Sequence, residues 1–245
     1  MSPRITLMTT GRVLGQIRHD PRTIGLILFV PGLLIALLRY VFDSEPMVFD
    51  RVGTMMLGIF PFTSMFLVTS IAMLRERTSG TLERLLTTPL HKLDLLLGYG
   101  IAFAVLAAFQ AVAASAVAYY LLDLDTRGSV TVVMGIAVTS AVLGSSIGLF
   151  TSAFATSEFQ AVQFMPVVVL PQVLLCGLFW PREEMVGWLQ AASNVMPVTY
   201  SVDALLEVIA HPDPTGRLWR DVAIIAGATV VALVLGAATL RRRTP

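Results

Sequence analysis

Six apolar runs, each long enough to cross a lipid bilayer, dominate the chain at residues 23–42, 52–74, 95–122, 130–154, 161–179 and 221–240. A helix rises about 1.5 Å per residue, so roughly 20 apolar residues span a hydrocarbon layer about 30 Å thick. Hydrophobic residues make up 56% of the 245 and charged residues 13%, about half the charged share of an ordinary water-soluble domain. The mean hydropathy of +0.78 excludes a disordered chain as well as a soluble one. In lipid, backbone polar groups must be satisfied within a helix or a closed barrel. Barrel strands alternate in segments of about ten residues; these runs do not alternate, so each is read as a helix. The run at 95–122 can tilt or extend into the interface. Pro31, Pro61, Pro166 and Pro171 fall inside runs. Proline lacks an N–H and crowds the preceding turn, so Pro61 and Pro171 are expected to kink or break their helices.

Residues 1–22 have a different character. Arg4, Arg12, Arg18 and Arg22 alternate with Ile5, Leu7, Met8, Val13, Leu14 and Ile17. This is the pattern of a basic amphipathic helix on a membrane surface, weakened by Gly11 and Gly15. A cleaved secretory signal is not expected, because the next run is too long and lacks a small-residue cleavage site. With six crossings, Arg4, Arg12, Arg18, Arg22, Arg75, Arg77, Arg84, Lys92, Arg241, Arg242 and Arg243 share one side. Arg51, Arg127, Arg182, Arg217 and Arg220 lie on the other, mixed with acids. The tally of 11 against 5 predicts both termini cytoplasmic. Arginine outnumbers lysine 16 to 1, a bias suited to a GC-rich bacterial genome, and the bacterial inner membrane is the expected location.

Residue inventory excludes several chemistries. Lys92 is the only lysine, between His91 and Leu93, so no phosphate-binding G-x-x-x-x-G-K-[ST] loop exists in this sequence. Cys176 is the only cysteine, which leaves no internal disulfide and no cysteine metal site. His19, His91 and His211 lie far apart. The net charge of +1 gives no sign of a polyanion-binding surface, and nucleic acid is not an expected partner.

Two connections carry information. At residues 75–98, read RERTSGTLERLLTTPLHKLDLLLG, Leu82, Leu85 and Leu86 share one helical face. Ser79 and Gly80 suit cap positions, Glu83 suits the first-turn dipole, and Pro89 stops the helix near Thr88. A two-turn helix, about 12 Å long, lies along the membrane with Glu83, Arg84 and Thr87 on its cytosolic face. At residues 179–208, Trp180 and Trp188 suit the headgroup layer. Pro181 and Pro197 divide the segment into short helical pieces of the kind that re-enter a bilayer under protein cover. Glu183 and Glu184 read as solvated acids beside the headgroups.

The first connection resembles the E-x-x-x-G-T-L-E-x-L-x-x-x-P pattern of ABC-2 type transporter permeases, here Glu76, Gly80, Thr81, Leu82, Glu83, Leu85 and Pro89. The second resembles that family's outer region, with G-L-F-W-P at residues 177–181 and P-x-T-Y-x-x-D-A-L at 197–205. The likeness covers essentially the whole chain and is closest to small drug- and lipid-exporting permeases of the daunorubicin-resistance type and their polysaccharide-exporting relatives. It implies an all-α integral membrane fold in one domain, 1–245. Its parts are an interfacial helix at 1–22, spans 1–5 over 23–179, outer re-entrant helices at 180–220 before the last span, and span 6 at 221–240. It implies a non-catalytic transport subunit that exports a drug, lipid or lipid-linked glycan, with no cofactor of its own. ATP and Mg would be bound by a partner ATPase present in two copies, beside a second permease, identical or homologous, and membrane lipid. Glu76, Gly80, Thr81, Leu82, Glu83 and Arg84 would form the ATPase-docking coupling helix. Trp180, Pro181, Pro197, Tyr200 and Asp203 would form the outer motif.

Polar residues at membrane depth mark a possible substrate path: Arg39, Thr63, Ser64, Gln110 and Gln172. Each has a structural alternative. Arg39 can snorkel to the interface. Gln110, Gln163 and Gln172 can bond between helices. Thr63, Ser64, Thr69 and Ser70 mark a stretch that could face a partner. Gly144 and Gly148 form a G-x-x-x-G pair that permits close helix approach, and Asp203 reads as a cap or hydrogen-bond partner. Two other classes remain: an intramembrane CAAX-type protease and an ion-coupled secondary transporter. The first needs E-E-x-x-x-R, but Trp188 stands where arginine is required. The second needs midplane ionisable groups and an inverted repeat, and neither is visible.

Overall fold

The computed structural model describes residues 3–79 and 92–239. Among them the elements are α1 (Pro3–Arg18), α2 (Pro21–Val41), α3 (Pro46–Thr78), α4 (Lys92–Leu121), α5 (Val130–Thr151) and α6 (Glu158–Leu175). A 3₁₀ turn at Arg182–Glu184 follows, then α7 (Gly187–Val195), α8 (Pro197–Ala210) and α9 (Gly216–Thr239). Six of these, α2, α3, α4, α5, α6 and α9, are long and apolar enough to cross a membrane. The chain is an all-helical, multi-pass membrane protein.

Helix ends follow local chemistry. Asp20 caps α2, accepting from the Thr23 amide at 3.1 Å, and Pro21 occupies the first turn, where its missing N–H costs nothing. Pro46 opens α3 in the same way, so that helix begins before the apolar run does. The end of α4 is closed by Asp123, at φ 53°, and by the Leu124 amide bonding back to the Ala118 carbonyl at 3.0 Å, a left-handed C-terminal stop. Helices α3 and α6 continue through Pro61, Pro166 and Pro171, so of the expected kink or break at Pro61 and Pro171 the break does not occur. Near Pro61, hydroxyls serve the carbonyls of that stretch: Ser140 donates to the Gly58 carbonyl at 2.8 Å and Ser64 to the Phe60 carbonyl at 2.8 Å.

The core is the crossing of α3 and α5, the most extensive interface in the fold. A Cβ at Gly144 would sit 2.2 Å from the Phe62 carbonyl oxygen, and one at Gly148 2.5 Å from that of Phe66. The G-x-x-x-G pair thus serves backbone contact within this chain. Phe49, Phe62, Phe66 and Met65 on α3 are fully buried. Helices α4 and α9 flank α5, α2 and α6 pack on α3, and α8 lies against α3, α5 and α9. Outward, α2 exposes Leu26, Phe29 and Leu37, α6 exposes Phe159, Val167 and Leu174, and α9 exposes Val230, Val231 and Val234. Apolar faces of this extent suit lipid rather than water.

Candidate functional site at the two ends of the bundle

At one end, α1 crosses the start of α4. Thr10 Oγ1 donates to the Gly98 carbonyl at 3.1 Å, and a Cβ at Gly98 would lie 2.6 Å from Thr9 Cβ, so glycine permits the approach. Three residues far apart in sequence then meet. Arg12 pairs with Glu76 at 3.5 Å, donates to the Tyr99 hydroxyl and lies 5.6 Å from the Tyr99 ring centroid. The Glu76 side chain is only 13% exposed, turned inward toward α1. Beside it, Arg75 grips Glu158 with two bonds, at 2.7 and 3.0 Å, tying the end of α3 to the start of α6.

Between α1, α2, α3 and α4 a cavity of about 480 Å³ opens beside these pairs. Val13, Ile27, Val68, Phe103 and Leu106 make its walls, and Asp20, Thr23, Arg75 and Glu76 its polar edge. Bonds from the Thr23 hydroxyl and amide hold the Asp20 carboxyl below its usual pKa. Of the polar residues that the sequence marks as a path, Arg39, Thr63, Ser64, Gln110 and Gln172, none is in the cavity lining, but Ser64 and Gln110 stand one helical turn from its walls at Val68 and Leu106. Arg39 pairs with Asp43 at 3.1 Å and lies over Phe49. Thr63 bonds back to the Ile59 carbonyl at 2.8 Å. Gln110 bonds Ser64 between α4 and α3. Gln172 donates to the Val168 carbonyl at 2.9 Å and accepts from the Val198 amide at 3.4 Å. Thr69 and Ser70 are fully buried in the bundle and so do not face outward.

The other end is built from the turn at Arg182–Glu184, α7 and α8. Arg182 bonds both Asp203 and Asn194, joining all three pieces. Ser193 donates to the Leu175 carbonyl at 2.8 Å, Thr199 to the Ser193 carbonyl at 3.0 Å and Tyr200 to the Asn194 carbonyl at 2.7 Å. Burial raises the Asp203 pKa against the pull of Arg182. Asp203 is thus an ion-pair partner within a packed cap. Glu183 and Glu184 are exposed. Trp180, Trp188 and Trp219 are also exposed. Pro197 opens α8, whose Leu205 reaches Gly58 in α3: a Cβ at Gly58 would lie 2.8 Å from Leu205 Cδ1.

Gly80, Thr81, Leu82, Glu83 and Arg84 lie outside the described residues. Sequence reasoning missed Asp20, Tyr99 and the inward role of Arg12. The only trace of them is the Arg12 position on the amphipathic helix; the triad needs residues 12, 76 and 99 brought together by packing.

The ABC-2 type transporter family profile matches residues 4–210. The chain belongs to the ABC-2 type transporter family. A probable multidrug ABC transporter permease of Escherichia coli strain K12, YbhR, is 27% identical over 158 residues, 63% of this chain and 42% of YbhR. ABC transporter G family member 20 of Dictyostelium discoideum is 24% identical over 160 residues, 65% of this chain and 22% of that protein. Nodulation protein J of Neorhizobium galegae is 27% identical over 174 residues, 69% of this chain and 64% of that protein. The chain therefore aligns with less than half the length of the first two. The family is one of transporter permeases, and the six spans of this chain suit it.

Proposed function

We propose that this ABC-2 family chain is the transmembrane subunit of an ATP-driven exporter. It moves a hydrophobic or amphipathic substrate (a drug, a lipid or a lipid-linked glycan) out of the cytoplasm or the inner leaflet. A separate ABC ATPase binds ATP and Mg and supplies the energy. The observation that carries this reading is the family match across residues 4–210. The multidrug permease name of the YbhR relative supports the substrate class.

The mechanism follows from what joins the ends of α3 and α4. Residues 80–91 connect them, with Thr81, Leu82, Glu83 and Arg84 proposed to dock on the ATPase. A push on that connection acts on α3 and α4 through the chain itself. It also acts on α1, which is held to both by the Arg12, Glu76 and Tyr99 contacts, and on α6 through Arg75 and Glu158. Four helices thus receive one displacement. Glu76 serves this mechanism by holding α1 to α3. In the proposed assembly two permeases face two ATPases, the α1 end is cytoplasmic and the membrane is a bacterial inner membrane. The charge bias across the six spans supports that orientation.

The test is affinity purification of the tagged chain from native membranes, followed by ATPase measurement. An ABC ATPase should accompany the chain, and its activity should respond to exported compounds. Glu83→Ala combined with Gly80→Pro should abolish that response while membrane insertion continues. Purification with no ATPase contradicts the reading, and a normal response in the double variant removes the docking assignment.

A further inference from the structure

We propose that Arg77 selects the partner ATPase: its guanidinium has no counter-charge among the described residues of this chain, and a carboxylate of the ATPase completes it on assembly. This rests on the exporter reading and adds to it the chemistry that the permease demands of its motor.

Arg77 stands in the last turn of α3. Phe62, Phe66, Ser70, Met73 and Arg77 recur at intervals of three and four residues, so they share one face of the helix. The first four are fully buried, and the Phe62 and Phe66 backbones lie against Gly144 and Gly148 of α5. The two helices run in the same direction there, which sets Ser70 level with Ser152, just past the end of α5. Arg77 lies about seven residues further on, roughly 10 Å along the axis. It is therefore beneath the end of α5, on the side of α3 that faces the bundle rather than lipid.

Its neighbours are paired and it is not. Glu76 is engaged by Arg12, and Arg75 by both oxygens of Glu158. The Arg77 Nε and Nη2 are buried without a hydrogen-bond partner, and no carboxylate of the described residues acts on its charge. Arg4, Arg18 and Arg22 show no ion pair either, but they are exposed and water solvates them. A half-buried guanidinium has no such recourse, and an unpaired charge taken out of water is costly. A partner that arrives from the end of α3 can supply the missing anion. That end leads directly into residues 80–91, the connection proposed above to dock on the ATPase. The planar fork of arginine matches a carboxylate, so an ATPase without an acid at that point would leave the charge stranded and be rejected.

The experiment purifies the full chain, with p-benzoylphenylalanine at position 77, together with the ATPase that accompanies it, and maps photo-cross-links by mass spectrometry. Adducts should fall on the ATPase next to an Asp or Glu. Affinity of the purified ATPase for the chain in nanodiscs is then measured. Arg77→Met should weaken it about thirtyfold or more, the scale of stranding one half of a buried charge pair. Arg77→Lys, which keeps the charge but not the fork, should weaken it less. Replacing the cross-linked ATPase acid by an apolar residue should recover most of the affinity that Arg77→Met loses, since neither half is then left unpaired. In the chain alone the sign reverses: Arg77→Met removes an uncompensated charge, so the thermal midpoint should rise by about 2–4 °C. A purely structural role predicts a fall. Adducts on lipid alone, a lowered midpoint, or unchanged ATPase affinity in Arg77→Met overturns the proposal. An ATPase that binds wild type and Arg77→Met alike removes this proposal and leaves the exporter reading standing; the absence of any ATPase removes both.

Discussion

Gly144→Ala is the sharpest probe of the fold. The added methyl would lie 2.2 Å from the Phe62 carbonyl oxygen, about 1.1 Å inside the shortest ordinary C–H···O distance of roughly 3.3 Å. The obstacle is backbone, so no side-chain rotation relieves it, and α5 must move away from α3 by about that amount. Overpacking of this kind costs about 1–3 kcal/mol, and a rigid backbone neighbour places Gly144→Ala near the upper end. Gly148→Ala meets the same obstacle at 2.5 Å. One separation of the helices relieves both contacts, so the double variant should cost less than the sum. Gly135→Ala, on the same helix with nothing within 4 Å of the new methyl, should be neutral or stabilising by up to about 1 kcal/mol, since alanine favours the helix. Cys176 is a built-in reporter: it is the only cysteine and is buried, so a thiol-reactive dye reads unfolding on heating. Gly144→Ala should lower the midpoint by about 5–10 °C. A midpoint equal to that of Gly135→Ala would refute the close crossing of α3 and α5.

Three further outcomes are expected. Arg12→Gln removes the ion pair to Glu76 and weakens the bond to Tyr99; hydrogen exchange of α1 should accelerate about tenfold, for a loss of about 1.4 kcal/mol, while α5 stays unchanged. Gly98→Val should produce the same selective loosening of α1, because its side chain meets Thr9. Burial raises the Asp203 pKa and Arg182 opposes the rise; a carboxyl with a raised pKa contributes stability below its ordinary value near 4 that is lost as pH rises through the folded value. Arg182→Met removes the opposing cation, so thermal stability should fall more steeply with rising pH than in the wild type, and adding Asp203→Asn should restore a flat profile.

The spans and the family were legible because both are written in contiguous residues. Lipid demands about 20 apolar residues in a row, and the expected runs differ from the helices by a few residues at most ends. The larger difference is at α3, which starts at Pro46: Asp50 and Arg51 look like a loop, yet charged residues are tolerated at a helix end outside the hydrocarbon. Gly144 and Gly148 were legible as a pattern, but their partner was not, since nothing local says whether Phe62 of the same chain or another chain fills the groove. Pro61 does not break α3, which runs on through it, buried against α5 along this stretch, so packing from a distant part of the sequence outweighs the local signal. The Arg12, Glu76 and Tyr99 cluster and the cavity beside it arise where α1, α3 and α4 meet, so no single stretch of sequence carries them.

Transport by the purified chain in liposomes, with and without the ABC ATPase that accompanies it, tests the central claim most directly. Export should require the ATPase, ATP and Mg together, and should stop when the Glu83→Ala, Gly80→Pro double variant replaces the wild type. Substrate movement by this chain alone under an ion gradient would contradict the account.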